Sequence, residues 1–159
     1  MISNQILQNT IDGLKGITRV DMCIIDTEGK VLATTFPDAD NYINPALAFV
    51  ESPADSQVIQ GCQFFKVFDD HQIEYVLLAN GDSDDVYMVG KIAGFQIQNL
   101  LVAYKERFDK DNFIKNLLLD NLLLVDIYNR AKKLHIETEV RRVVYIVAVS
   151  YTHLRAHET

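Results

Sequence analysis

The first residues place Ile2, Ile6, Leu7, Ile11 and Leu14 three or four positions apart, the spacing that gathers them on one face of a helix over residues 2–17. Gly13 and Gly16 weaken its end, and Gly16 is the expected stop. The period then falls to two. Val20, Met22 and Ile24 alternate with Asp21, Cys23 and Ile25, which predicts a strand. Asp26-Thr27-Glu28-Gly29 supplies a turn with glycine where positive φ is wanted, and residues 30–35 return as the second strand of a hairpin. Residues 36–44 are polar and loop-like, and residues 45–50 allow a helical turn. Ser52-Pro53 reads as a cap followed by a first-turn proline, predicting a short helix over 54–60 that ends at Gly61. Three strands are predicted next, over 62–68, 73–79 and 86–92, joined by the polar turns Asp69-Asp70-His71-Gln72 and Asn80-Gly81-Asp82-Ser83-Asp84-Asp85. From Ala93 the period is helical, with Ile97, Leu100, Leu101, Tyr104 and Phe108 on one stripe. Further helices are expected over about 111–119 and 125–134, either with a bend between them or as one continuous helix, then a strand over 142–147 after the polar break Glu137-Thr138-Glu139.

This order predicts an α+β fold, a five-stranded antiparallel sheet with flanking helices on one side and long connector helices after it. The PAS sensor fold has the same order of elements, which is an analogy of fold alone. The expected organisation is a sensor over 1–104, a helical connector over 105–136 and the start of a second, truncated domain over 137–148. Residues 149–159 break the pattern. They resemble the translation of a transposase-type sequencing adapter, one frame of which encodes this peptide in full, so the native sequence is expected to stop near Ala148.

Charge narrows the class of partner. The net charge is −7, and through Tyr104 five Lys or Arg stand against fourteen Asp or Glu. So acidic a front half does not grip nucleic acid by neutralising phosphates. No apolar run is long enough for a membrane span, and the start lacks the pattern of a signal peptide, so the expected compartment is the cytoplasm. Cys23 and Cys62 sit in apolar strands and read as buried small hydrophobes.

Candidate chemistry is sparse. There is no glycine-rich phosphate loop, no Cys-x-x-Cys pair and no His-Glu-x-x-His, so no catalytic, metal or cofactor site is predicted. Asp82-x-Asp84-Asp85 lacks the glutamate of a calcium loop and reads as a solvated turn, and His71 as a surface residue of a hairpin turn. Arg19, Lys30, Lys66 and Lys91 are the cations of the strand region. An anionic effector would have to use one or two of them, unless they simply face solvent. The stripe Ile97, Leu100, Leu101, Tyr104 and Phe108 suits either a homodimer seam or packing on the domain's own sheet.

Two stretches carry a family resemblance. Gln5-Ile6-x-x-x-Thr10-Ile11 with Met22-Cys23-Ile24-Ile25-Asp26-x-x-Gly29-x-Val31-Leu32-Ala33-Thr34 resembles the sensor domain of the carbohydrate (sugar) diacid regulators. Asp111-Asn112-Phe113-Ile114-Lys115-Asn116-Leu117-Leu118-Leu119-Asp120-Asn121, with Asp126-Ile127 and Arg130-Ala131-Lys132-Lys133-Leu134-His135-Ile136, is similar to the connector of that group and of its purine-catabolism relatives. The resemblance implies a sensory fragment of a transcriptional regulator, a small-molecule effector, and DNA binding only through a C-terminal helix-turn-helix domain that this chain lacks. One departure matters. Where the family carries an Arg-Ile-Gly-x-x-His-type segment, this chain reads Phe36-Pro37-Asp38-Ala39-Asp40-Asn41-Tyr42, which repels a diacid. The regulator role carries over and the diacid ligand does not. The alternative is a ligand-free dimerisation or interaction domain.

Overall fold

A computed structural model describes residues 2–148, so the adapter-like segment lies outside the described residues. The chain divides into two compact units, Met1–Asn112 and Phe113–Thr159. The first holds α1 (Asn4–Thr18), the hairpin β1 (Met22–Asp26) and β2 (Val31–Thr34), and a 3-10 turn (Ala39–Tyr42) running into α2 (Ile43–Glu51). Then come β3 (Ser56–Ile59), β4 (Cys62–Asp69) and β5 (Gln72–Asn80). Helix α3 (Asp84–Leu118) starts in the first unit and ends in the second, which also holds α4 (Leu124–Lys133).

The sheet is antiparallel with strand order β2-β1-β5-β4-β3. Its register pairs Ile24 with Leu77 and Leu77 with Phe65, while Cys23 pairs with Leu78 and Leu78 with Phe64. Alternate residues therefore feed two cores, one on each face. Ile24, Leu77 and Phe65 join Leu7 and Ile11 of α1 and Ala93, Ile97 and Leu101 of α3. Cys23, Leu78 and Phe64 join Ala46 and Phe49 of α2. The architecture is α+β as predicted, but helices cover both faces of the sheet. That follows from strands β1, β4 and β5, whose near-continuous apolar runs must be buried on both sides.

Local chemistry explains where the predictions hold. The carboxylate of Asp26 accepts the backbone N–H groups of Glu28 and Lys30 at 3.0 and 2.8 Å, and Gly29 takes φ 87° beneath Ile43. That is the expected hairpin turn. Between β4 and β5, Asp70 and His71 both take positive φ, as a type I′ turn requires.

It also explains where they fail. α1 runs through Gly16 and stops at Arg19, which adopts the left-handed conformation and donates its N–H to the carbonyl of Lys15. Residues 45–50 belong to a full helix, α2, and the helix predicted over 54–60 is instead β3. Ser52 closes α2 rather than opening a helix: its N–H reaches the carbonyl of Phe49, and its hydroxyl accepts the N–H of Ala54. Val58 and Ile59 then pair with β4 across Gln60-Gly61, both at positive φ. The strand predicted over 86–92 is the first part of α3. Ser83 caps it, its hydroxyl accepting the N–H of Val86, and Asp84 and Asp85 sit in the first turn, where the helix dipole favours carboxylates.

In the second unit Asp120 and His135 end their helices in the left-handed conformation. The N–H groups of Asn121 and Ile136 reach back five residues to Asn116 and Ala131. Residues expected in separate helices before and after 110 are continuous in α3. The strand expected over 142–147 is absent: these residues are exposed and irregular, because a strand needs a partner for its ladder and none of the described residues supplies one.

Two contacts fix the first unit. Asp21 accepts from Lys15 at 2.6 Å and from the Thr35 hydroxyl at 2.7 Å, tying α1 to both strands of the hairpin. Gly90 of α3 rests on Phe65: a Cβ there would lie 2.1 Å from the ring, whereas one at Gly94 would meet only Leu77, at 3.9 Å.

Gly90→Ala is expected to lose stability, since overpacking a buried ring costs about 1–3 kcal/mol against a helix-propensity gain of about 1 kcal/mol. Gly94→Ala should gain roughly 0.5–1 kcal/mol. Urea denaturation that ranks the two equally would contradict the packing described. The Lys15 and Thr35 hydrogen bonds hold the Asp21 carboxyl below its ordinary value of 3.8. Its contribution to stability is therefore full above that value and lost as pH falls through the lower folded one. Asp21→Asn should lower the urea midpoint at about pH 6, by an amount that shrinks towards about pH 3. A constant difference across that range would show the pairing to be irrelevant.

Candidate functional site

Strand β4 is twice the length of β3, and pairing between them begins at Ser56 and Phe65. The N–H of Lys66 still reaches the carbonyl of Asp55, but among the described residues no strand pairs with the β4 edge beyond it. Helix α3 passes this open edge with Gly90 seated on Phe65 and with open space beside Gly94, and a cavity of about 250 Å³ lies between helix and strand. Phe65, Phe68 and Phe95 give it aromatic walls, and Asp55, Lys66, Lys91 and Gln98 supply its polar groups. The volume is below the ~300–1,000 Å³ of sites for drug-sized ligands, so a small metabolite is the right scale.

Two of the four candidate cations meet here. Lys66 donates to the carbonyl of Ser52 and its Nζ lies 5.2 Å from the centre of the Phe49 ring, so it is already engaged on the α2 side. Lys91 is exposed. Its Nζ stands 5.9 Å from the centre of Phe65 and 5.6 Å from that of Tyr87, and among the described residues no carboxylate pairs with it. A cation held only by ring faces remains free to take an anion. Arg19 is exposed at the end of α1 and Lys30 is exposed beside the β1–β2 turn; neither lines the cavity. Phe68, Phe95, Gln98 and the glycine pair were not predicted, because only the docking of α3 on β4 brings them together.

The stripe Ile97, Leu100, Leu101, Tyr104 and Phe108 has a clear placement. Ile97 and Leu101 are buried against the sheet, Leu100 and Tyr104 pack partly against the same core, and Phe108 is exposed. Lys105 pairs with Asp69 and Asp70 of the β4–β5 turn at 3.7 and 3.1 Å, and Phe108 lies one turn further along the helix.

Nucleophilic groups are shielded. Cys23 and Cys62 are free and buried, and burial above all pushes the Cys23 thiol up to about 12, so it stays protonated at neutral pH. Among the described residues no three His, Cys, Asp or Glu side chains gather where they could hold a metal ion, and no helix is long and apolar enough to cross a membrane. The chain matches no family model and no curated protein.

Proposed function

We propose that this chain is the sensory and signal-transmitting part of a cytoplasmic, homodimeric transcriptional regulator of the carbohydrate diacid regulator type. Its DNA contacts would be made by a helix-turn-helix domain beyond the chain. The observation that carries the reading is the cavity between β4 and α3, because α3 is also the helix that leads out of the sensor. Strand order β2-β1-β5-β4-β3 followed by such a helix is the arrangement of PAS sensor domains, and it supports the reading at the level of fold. The residues that resemble the family fall on α1, the β1–β2 hairpin, the end of α3 and α4.

The effector is a small monoanion with a planar apolar body. Lys91 supplies one available charge, Asp55 opposes a second carboxylate, and three phenylalanines favour a flat partner. Occupying the cavity would brace α3 against β4 and shift the population of its arrangements. An exposed apolar face on α3 favours a second reading, a ligand-free dimerisation domain.

A thermal-shift screen of mono- and dicarboxylic acids, purines and sugars separates the two. A ligand at about a hundred times its Kd stabilises by ~2.7 kcal/mol, a rise in Tm of roughly 10 °C. Lys91→Ala should abolish the rise. No response across the panel would favour the ligand-free domain. The natural reading frame past Ala148 should encode a helix-turn-helix, and its absence would end the regulator reading.

A further inference from the structure

The face of α3 opposite the sheet is apolar and uncovered. Met88, Ile92, Phe95 and Val102 are 61, 60, 66 and 59% exposed. Their spacing alternates four and three, with Asn99 completing the series, which is the a/d pattern of a two-stranded coiled coil. Ile92 and Asn99 take a positions; Met88, Phe95 and Val102 take d. The sheet-facing Gly90, Ile97 and Tyr104 fall on f, the position farthest from a seam, so one helix can serve the core and the seam at once. The next two positions of the series, Glu106 and Asp109, are charged and end the apolar face.

We infer that this face pairs in parallel with the same face of a second copy of the chain. Asn99 selects that occupant. In a parallel two-fold seam each a residue meets itself, and a carboxamide meets another carboxamide as both donor and acceptor. In an antiparallel pair a positions face d positions, which would set Asn99 against an apolar Met88, Phe95 or Val102 and leave the amide unpaired, at a cost in stability. The flanking positions agree: Lys91 comes opposite the second copy's Gln96 and Gln98 opposite its Ala103, with no like charges apposed. The seam covers Met88 to Val102, about 21 Å of helix, shorter than the three to four heptads of a free-standing coiled coil, so the dimer is concentration-dependent. This inference places the homodimer named above on one helix face and stands without the regulator reading. A dimer formed through α3 in a protein that answers no effector would defeat only that reading.

The test uses the whole chain in sedimentation equilibrium and in disulfide trapping. The wild type should dimerise, and Ile92→Glu should raise the dimer Kd by more than about a hundredfold by setting like charges face to face. Because Ile92 is exposed, the variant should keep its helical circular dichroism. Ile92→Cys should oxidise to a covalent dimer, since parallel a positions coincide, whereas the exposed control Glu51→Cys should not; the two native thiols are buried. A wild type that stays monomeric at its highest soluble concentration overturns the inference. So does a dimer indifferent to Ile92→Glu, or trapping at position 92 no faster than at 51.

Discussion

The ring of Phe65 occupies the space that a side chain at Gly90 would need, and the course of α3 over the sheet depends on that contact. Phe65 stands in the row Ile24–Leu77–Phe65 across the three most buried strands, so the ring cannot yield without opening the core. The helix yields instead, by carrying glycine in its interior at a cost of about 1 kcal/mol. With Gly90 seated, Ala93, Ile97 and Leu101 reach the same core, and Lys105 meets Asp69 and Asp70 at the end of the sheet.

Fixing one face of α3 decides what its other faces can do. The flank towards β4 carries Gly94 and Lys91, and the edge of β4 there is uncovered because β3 is short. A cavity follows from those two facts together. Gly94 has room for a methyl group that would favour the helix, yet keeps that space open. The face directed away from the sheet carries the apolar series Met88, Ile92, Phe95 and Val102, with Phe95 at its border with the cavity. A ligand on the flank and a second copy on the outer face would both act on one rigid element. If one of these binding events alters the affinity of the other, the effect is reciprocal.

Much of the fold was legible as period and punctuation. Alternation over Val20–Ile25 and the Asp26–Gly29 turn identify the first hairpin, and the apolar runs around Phe64 and Leu78 identify the central strands. Two elements were misread for one reason. Ser52 and Ser83 can each cap a helix start, and which one does so depends on where its hydroxyl and N–H find partners in three dimensions. Val86 to Ile92 has strand-like residues, but three acidic residues and a serine precede it and the core receives it as a helix. The cavity was half legible. Lys66 and Lys91 were identifiable as scarce cations in an acidic domain, whereas their aromatic walls depend on a tertiary contact between residues far apart in the chain. The stripe centred on Ile97 and Leu101 faces the sheet, leaving the opposite stripe free to form a seam.

Amide hydrogen exchange across α3 tests the dependence on Phe65 and Gly90 most directly. In the wild type the amides of residues 90–104 should be protected to the same degree as those of β5, because helix and strand share one core. In Gly90→Ala, protection over 90–104 should fall while that of β1 and β5 is kept. Equal protection of α3 in both proteins would contradict the claim that this contact seats the helix.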